Sequence, residues 1–293
     1  MILITGATGF VGQALIKQLI SDGLQVKGLA RHPEQGQPMD GVTYLPADID
    51  EPKTLEQAMD GVTCVIHLVG ILAESGKHTF ERVHHQGTRH VVDATKKAGI
   101  KRYIHMSSLG TRKDAVAQYH QSKWHAESYV RESGLDYTIF RPSVIFGAED
   151  NFVNQFARMI RFSPAVPILG NGQSKMQPIA VEDVATCFAT ALSNPQTIGQ
   201  TYELGGPEQL TFEKIMETIL EALDKKRFKL HLPFALLKLE GKIFEMILPN
   251  PPLTYDQMLM AQEDNICQAG TGMPEPFQFN PLPFAEGIRR YLP

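Results

Sequence analysis

Apolar and polar positions alternate along this chain in two rhythms. Ile2-Leu3-Ile4 is a short apolar run leading straight into Gly6, Gly9 and Gly12, and Phe10, Ala14, Leu15 and Leu19 then recur at helical spacing up to Gly23. The pattern predicts strands at 25–30 and 42–45, a helix at 54–59, and a strand through Cys64-Val65-Ile66-His67-Leu68-Val69. Phe80, Val83, Gly87, Val91, Ala94 and Ala98 trace a long helix; a strand at 102–106, a helix at 118–131 and a strand at 137–140 follow. Strands alternating with helices call for parallel β-α-β units. The predicted fold is therefore α/β, a doubly wound parallel (Rossmann) sheet.

After Pro142 the rhythm loosens. A short strand at 177–179 and a helix at 181–192 read as a return to the main sheet. Helices at 211–223 and 234–247 are separated by turns rich in proline, and the tail carries little strand signal. The expectation is a first domain over 1–150, rejoined by 177–195. A smaller, mostly helical C-terminal substrate domain takes 151–176 and 196–293.

Composition narrows the classes. The chain has 293 residues, 43 % hydrophobic and 20 % charged, enough for a sizeable core and two globular units. A net charge of -4 argues against a nucleic-acid partner. Cys64, Cys187 and Cys267 lie far apart with no C-x-x-C pair, which excludes a disulfide framework and points to a reducing, cytoplasmic setting. No apolar run approaches the ~20 residues that span a bilayer, and the apolar strand at the first residue leaves no room for a cationic leader. The amphipathic segment 234–247 suits the core of the second domain or a dimer face. Contact with a membrane surface or a protein complex stays open, as does the oligomeric state.

Chemistry concentrates in two places. Thr5-Gly6-Ala7-Thr8-Gly9-Phe10-Val11-Gly12 sets glycines at i, i+3 and i+6 between a strand and a helix. Such a turn needs residues without Cβ, and the helix N-terminus offers free N–H groups to a pyrophosphate, so residues 1–150 read as a dinucleotide-binding domain. The second strand ends Leu29-Ala30-Arg31-His32 with no carboxylate before Glu34. Arg31 suits a 2′-phosphate, which favours NADP(H) while leaving NAD(H) open; the plain alternative is a solvated arginine. Tyr119 and Lys123 stand four apart on one face of the helix at 118–131. A nearby ammonium stabilises tyrosinate and makes the phenol a usable acid/base, and Ser107-Ser108 ends the preceding strand where a hydroxyl can meet a substrate oxygen. The competing account has Ser108 capping a turn and Tyr119 packing on the sheet. His85 and His90 are five apart and miss the i, i+4 spacing of a metal helix, so no metal site is expected.

These motifs together, T-G-A-T-G-F-V-G, M-S-S, Y-H-Q-S-K and Arg141-Pro142, resemble the short-chain dehydrogenase/reductase superfamily. The runs I-H-L-V-G, S-S-L-G, R-P-S-V-I-F-G, Q-P-I-A-V-E-D-V-A and Y-E-L-G-G-P are similar to an atypical branch. That branch holds the nucleotide-binding accessory subunit of respiratory complex I and its bacterial relatives. The likeness covers roughly residues 1–210. It implies that Gly6, Gly9 and Gly12, with the backbone of Phe10 and Val11, hold the pyrophosphate and Arg31 the adenosine phosphate. It implies Asp48 and Ile49 beside adenine, Leu68, Val69 and Gly70 along the cofactor, and Pro142 and Val144 at the carboxamide. Ser108, rather than Ser107, falls at the catalytic Ser/Thr position, with Tyr119 as acid/base and Lys123 both tuning it and binding the nicotinamide ribose. His84 takes a position where the family often has asparagine.

Departures from the pattern count too. Leu109-Gly110-Thr111-Arg112 lacks the carboxylate pair of the dehydratases, and only eleven residues separate Ser108 from Tyr119, which weakens a sugar epimerase. Two functions follow as expectations. One is an NADP(H)-dependent oxidoreductase acting on a carbonyl or quinone-like small molecule. The other is a non-catalytic NADPH-binding assembly factor, structural subunit or redox sensor. Phe152, Phe156, Met159 and Phe162 suggest an apolar pocket mouth.

Overall fold

A computed structural model describes residues 1–234 and 254–292, so the helix expected at 234–247 falls, beyond Phe234, outside the described residues. Six strands, β1 (Ile2–Thr5), β2 (Val26–Ala30), β3 (Val42–Pro46), β4 (Cys64–His67), β5 (Arg102–Met106) and β6 (Asp136–Pro142), are joined by a seventh, Gln200–Leu204. Their order is Gln200–Leu204, β6, β5, β4, β1, β2, β3, and the pairs from β6 to β3 run parallel. The chain winds outward from β1 to β3, then returns to lay β4 on the other side of β1. That reversal opens a crevice at the carboxyl ends of β1 and β4, where doubly wound sheets hold ligands.

All four residues of β1 and of β4 are buried, which suits interior parallel strands covered on both faces. On one face Leu3, Val65 and Tyr103 stand in register across β1, β4 and β5. They pack with Leu55, Val91, Val92 and Val130 from α2 (Pro52–Ala58), α3 (Gly87–Lys97) and α4 (Gln118–Glu132). The helices α1 (Phe10–Ser21) and Val181–Ser193 lie against each other in the same unit. The helix expected from Phe80 onward opens with a π-helical turn, Glu81–Gln86, before it continues as α3. Among the described residues no helix is long and apolar enough to cross a membrane.

The chain divides into two compact units. Met1–Arg141 with Val181–Tyr202 forms the first, and Pro142–Ala180 with Glu203–Pro293 the second. The crossing comes at Pro142 rather than near residue 150. Directly after β6 the strand Ile145–Phe146 pairs with Ile179–Ala180, which commits the chain to the second unit at once. The second unit is less purely helical than its sequence suggests. Besides the helices Phe152–Phe162, Phe212–Ala222, Tyr255–Met260 and Phe284–Arg289, it pairs Ala165–Leu169 with Phe228–Leu232 and Lys175–Met176 with Leu210–Thr211. The strand in the tail escapes a pattern search because two of its apolar positions face outward, Phe228 at 70 % and Leu230 at 45 % exposed, and only Leu232 packs on the core. The apolar pocket mouth also needs correcting. Phe152, Phe156 and Met159 pack on the second unit's own core, with Phe156 edge-on to Phe212, while Phe162 is 89 % exposed.

Candidate functional site

The glycine turn is built as its spacing requires. Gly6 sits at φ +75°, a left-handed conformation natural to glycine, and its carbonyl accepts from the Gly9 amide at 3.0 Å. A Cβ on Gly12 would fall 2.3 Å from the Gly6 oxygen and 2.9 Å from that of Ala7, so α1 approaches the loop closer than any side chain permits. The Gln13 amide donates to the Gly9 carbonyl at 2.9 Å, which leaves the amides of Phe10, Val11 and Gly12 without an intrahelical acceptor. The Gln13 side chain donates to the Ala7 carbonyl at 2.7 Å and to the Tyr44 hydroxyl at 3.1 Å, pinning the turn. Together with the positive end of α1, this cradle fits a pyrophosphate.

From it a cleft of about 380 Å³ runs along the strand ends, lined by Gly6, Gly9, Arg31, Asp48, Ile49, Leu68, Val69 and Gly70 among others. A larger open hollow, about 670 Å³, lies beside Pro33, Met39 and Tyr44 and contains none of the glycine-loop or α4 groups. Arg31 is exposed at the end of β2, and its guanidinium donates to Nε2 of His78, 3.1 Å away, which lines the same cleft. His78 went unread in the sequence because it comes from a loop with no periodic signal, held by reciprocal Ser75–His78 backbone bonds. Asp48 is engaged locally, its carboxylate accepting from the Asp50 amide at 3.0 Å.

Behind the cleft wall at Gly70 stands α4. Lys123 is only 2 % exposed, and its Nζ donates to the Met106 carbonyl at the end of β5, 3.1 Å away. Burial pushes its pKa down to about 8, with the Glu127 carboxylate pulling the other way. A Cβ on Gly70, which lines the cleft, would lie 3.2 Å from that ammonium, so the glycine lets the cleft wall come close to the buried lysine head. One turn earlier Tyr119, 8 % exposed, has its ring set edge-on to Phe80 and His84.

His84, buried on the π-helical turn, accepts from the Ile71 amide at Nε2, 3.0 Å. Its proton therefore sits on Nδ1 and donates to Ser122 Oγ at 2.8 Å, and Ser122 in turn donates to the Tyr119 carbonyl at 2.7 Å. Burial and the Lys123 charge pull its pKa down to about 2, so the ring stays neutral. Single-turn π windings recur at functional sites, and this one delivers His84 to the first turn of α4.

Ser108 follows β5. Its hydroxyl lies 3.2 Å from that of Thr111, and Ser107 donates to the same oxygen at 3.3 Å. Gly110, at φ +90°, closes the turn beneath the His120 ring, which leaves no room for a side chain there. Below this layer His67 bonds Thr5 at 2.6 Å and Thr88 at 3.2 Å and stacks on His105, ring centroids 5.5 Å apart. Pro142 and Val144 belong to the second unit, where Pro142 ends β6 and Val144 packs against the core around Phe146.

Residues 6–195 match the NAD(P)H-binding family. The mitochondrial NADH dehydrogenase (ubiquinone) 1 alpha subcomplex subunit 9 of Arabidopsis thaliana is 30 % identical over 242 residues, 80 % of this chain and 60 % of that protein. A ceramide reductase of Caulobacter vibrioides is 32 % identical over 199 residues, 67 % of this chain and 62 % of that protein. The chain thus spans about three fifths of the length of either relative. In fold it is similar to an NADPH-dependent quinone oxidoreductase of Escherichia coli solved with NADPH, at TM-score 0.78 and 21 % identity, covering 99 % of both chains. With a glycine cradle, a switch-point cleft and the Tyr119–Lys123 pair on one Rossmann unit, the chain belongs to the NAD(P)H-binding, atypical branch of the short-chain dehydrogenase/reductases.

Proposed function

We propose that the chain is an NADP(H)-dependent oxidoreductase whose substrate is an apolar carbonyl compound or a quinone-like molecule. The observation that carries this reading is the buried Lys123 head at Gly70, on the edge of the cleft and one helical turn from Tyr119. When bound, the dinucleotide supplies or accepts the hydride. The amides of Phe10, Val11 and Gly12 bind its pyrophosphate, and Arg31 with His78 reads the 2′-phosphate. Tyr119 gives the proton to the substrate oxygen during reduction, the Lys123 ammonium stabilises the tyrosinate, and the Ser108 hydroxyl, oriented by Thr111, donates to that oxygen. A relative that is a ceramide reductase and a fold neighbour that is a quinone oxidoreductase both favour an apolar acceptor. Three buried free cysteines suit a reducing location such as the cytoplasm.

Tyr119→Phe tests the chemistry. Carbonyl and quinone reduction with NADPH should lose about 10²–10⁴-fold in kcat while NADPH affinity stays within about twofold. Undiminished turnover in that variant ends the catalytic reading. A second reading is favoured by the complex I relative: an NADPH-binding assembly factor or structural subunit, in which the nucleotide stabilises the fold by mass action. It predicts that NADPH raises the Tm of wild type and Tyr119→Phe alike, with no turnover in either.

A further inference from the structure

We propose that Glu81, His85 and His125 form a binding site for a divalent transition metal of the zinc class, tying the π-helical turn to α4. The three side chains come from two elements, and their ligand atoms all lie within 4.8 Å of one another. A Glu81 carboxylate oxygen stands 2.8 Å from Nδ1 of His85, and the His85 and His125 rings are 5.5 Å apart between centroids, inclined at 54°. Zinc takes nitrogen and carboxylate ligands at roughly 2.0–2.2 Å in a tetrahedron, which sets neighbouring ligand atoms about 3.3 Å apart. The Glu81–His85 contact needs to open slightly and the wider separations to close, movements within reach of half-buried and exposed side chains.

Two imidazoles and one carboxylate form a donor set of borderline softness. It suits zinc, cobalt or nickel over calcium or magnesium and leaves one or more positions to water. The cysteines, which would otherwise compete for a soft metal, are all buried.

The position gives the site a consequence. His85 directly follows His84, which is bonded to Ser122, and His125 stands two residues beyond Lys123. A metal held here fixes the spacing between the turn that carries His84 and the helix that carries Tyr119 and Lys123. It acts as a clip on their frame and takes no part in proton or hydride transfer. The site is independent of the proposed oxidoreductase activity and survives its failure.

The test uses the full chain, stripped with a chelator and dialysed, then titrated with Zn²⁺ by calorimetry and with Co²⁺ by visible absorption. The expected result is one equivalent per chain with a Kd of about 10 µM or tighter, and a Tm raised by a few degrees at saturation. Ligand-field bands of low-coordinate Co²⁺ should accompany it. His125→Ala and Glu81→Gln should weaken Zn²⁺ at least about tenfold and abolish the Tm rise, while His32→Ala, a surface histidine elsewhere, binds as wild type. These ligands are exposed enough for the variants to fold, and an unchanged apo Tm checks that they do. Absence of saturable binding below about 100 µM would overturn the proposal. So would binding that His125→Ala and Glu81→Gln leave unchanged, the mark of an adventitious ion only.

Discussion

Arg31 and His78 meet in the cleft with no carboxylate at the end of β2 to oppose a phosphate. A charge-assisted hydrogen bond of this kind contributes about 1.5–3 kcal/mol. Arg31→Ser should therefore weaken NADPH by about 10–100-fold and leave NADH nearly unchanged, read by fluorescence titration of both nucleotides. Equal losses for the two would remove Arg31 from 2′-phosphate recognition. Deeper in the same unit, the Tyr103 hydroxyl and both His105 nitrogens are buried without a hydrogen-bond partner among the described residues. A buried hydroxyl in that state costs roughly 1–3 kcal/mol, so Tyr103→Phe should stabilise the first unit by about 1–2 kcal/mol in urea unfolding. The chain's single tryptophan, Trp124, lies on α4 and reports that transition.

The helix α4 carries the proposed chemistry, and a fully buried Glu127 fixes it to β6. Its carboxylate accepts two bonds from the Arg141 guanidinium, at 2.8 and 2.7 Å, and another from Arg131. Removing one partner of such a buried pair costs about 3–5 kcal/mol, the loss expected for Glu127→Ala in the Trp124 transition. An unchanged midpoint would show that α4 is held by packing alone. None of this clamp is visible in the sequence, where Glu127 is one more polar helix residue. What can be read there is local: glycines at i, i+3 and i+6, the Tyr119–Lys123 pair at i, i+4, and apolar strands at even spacing. His84, His78, Thr111 and the Glu81–His85–His125 group act through partners brought in by tertiary folding or by a π turn that shifts helical phase. The outward-facing strand Phe228–Leu232 defeats a search that assumes apolar means inward.

Across the whole molecule, the buried histidines of the first unit govern its response to acid. His67 is fully buried on β4, and burial, with the Lys123 ammonium second, pulls its pKa down from the usual 6.5 to about 3. Burial also holds His105, stacked on it, well below the usual value, with charges on neighbouring groups adding to the effect. Below pH 6.5 the unfolded chain binds a proton at each of these rings while the folded chain does not. The stability they allow is thus fully present above 6.5 and drains away as pH falls toward 3, by at most about 1.4 kcal/mol per pH unit for each histidine. Between about pH 7 and 5 ordinary carboxylates stay ionised, so this window isolates the histidines. Urea unfolding followed at Trp124 should show stability falling through it. His67→Gln keeps a hydrogen-bonding side chain for Thr5 and Thr88 but cannot titrate; it should flatten that slope by about 1 kcal/mol per pH unit below pH 6, whatever its effect at neutrality. A wild-type stability that holds level or rises on acidification would mean that these rings take up protons in the folded state. The neutral layer beneath Lys123, which leaves the positive charge there to the lysine alone, would then be wrong.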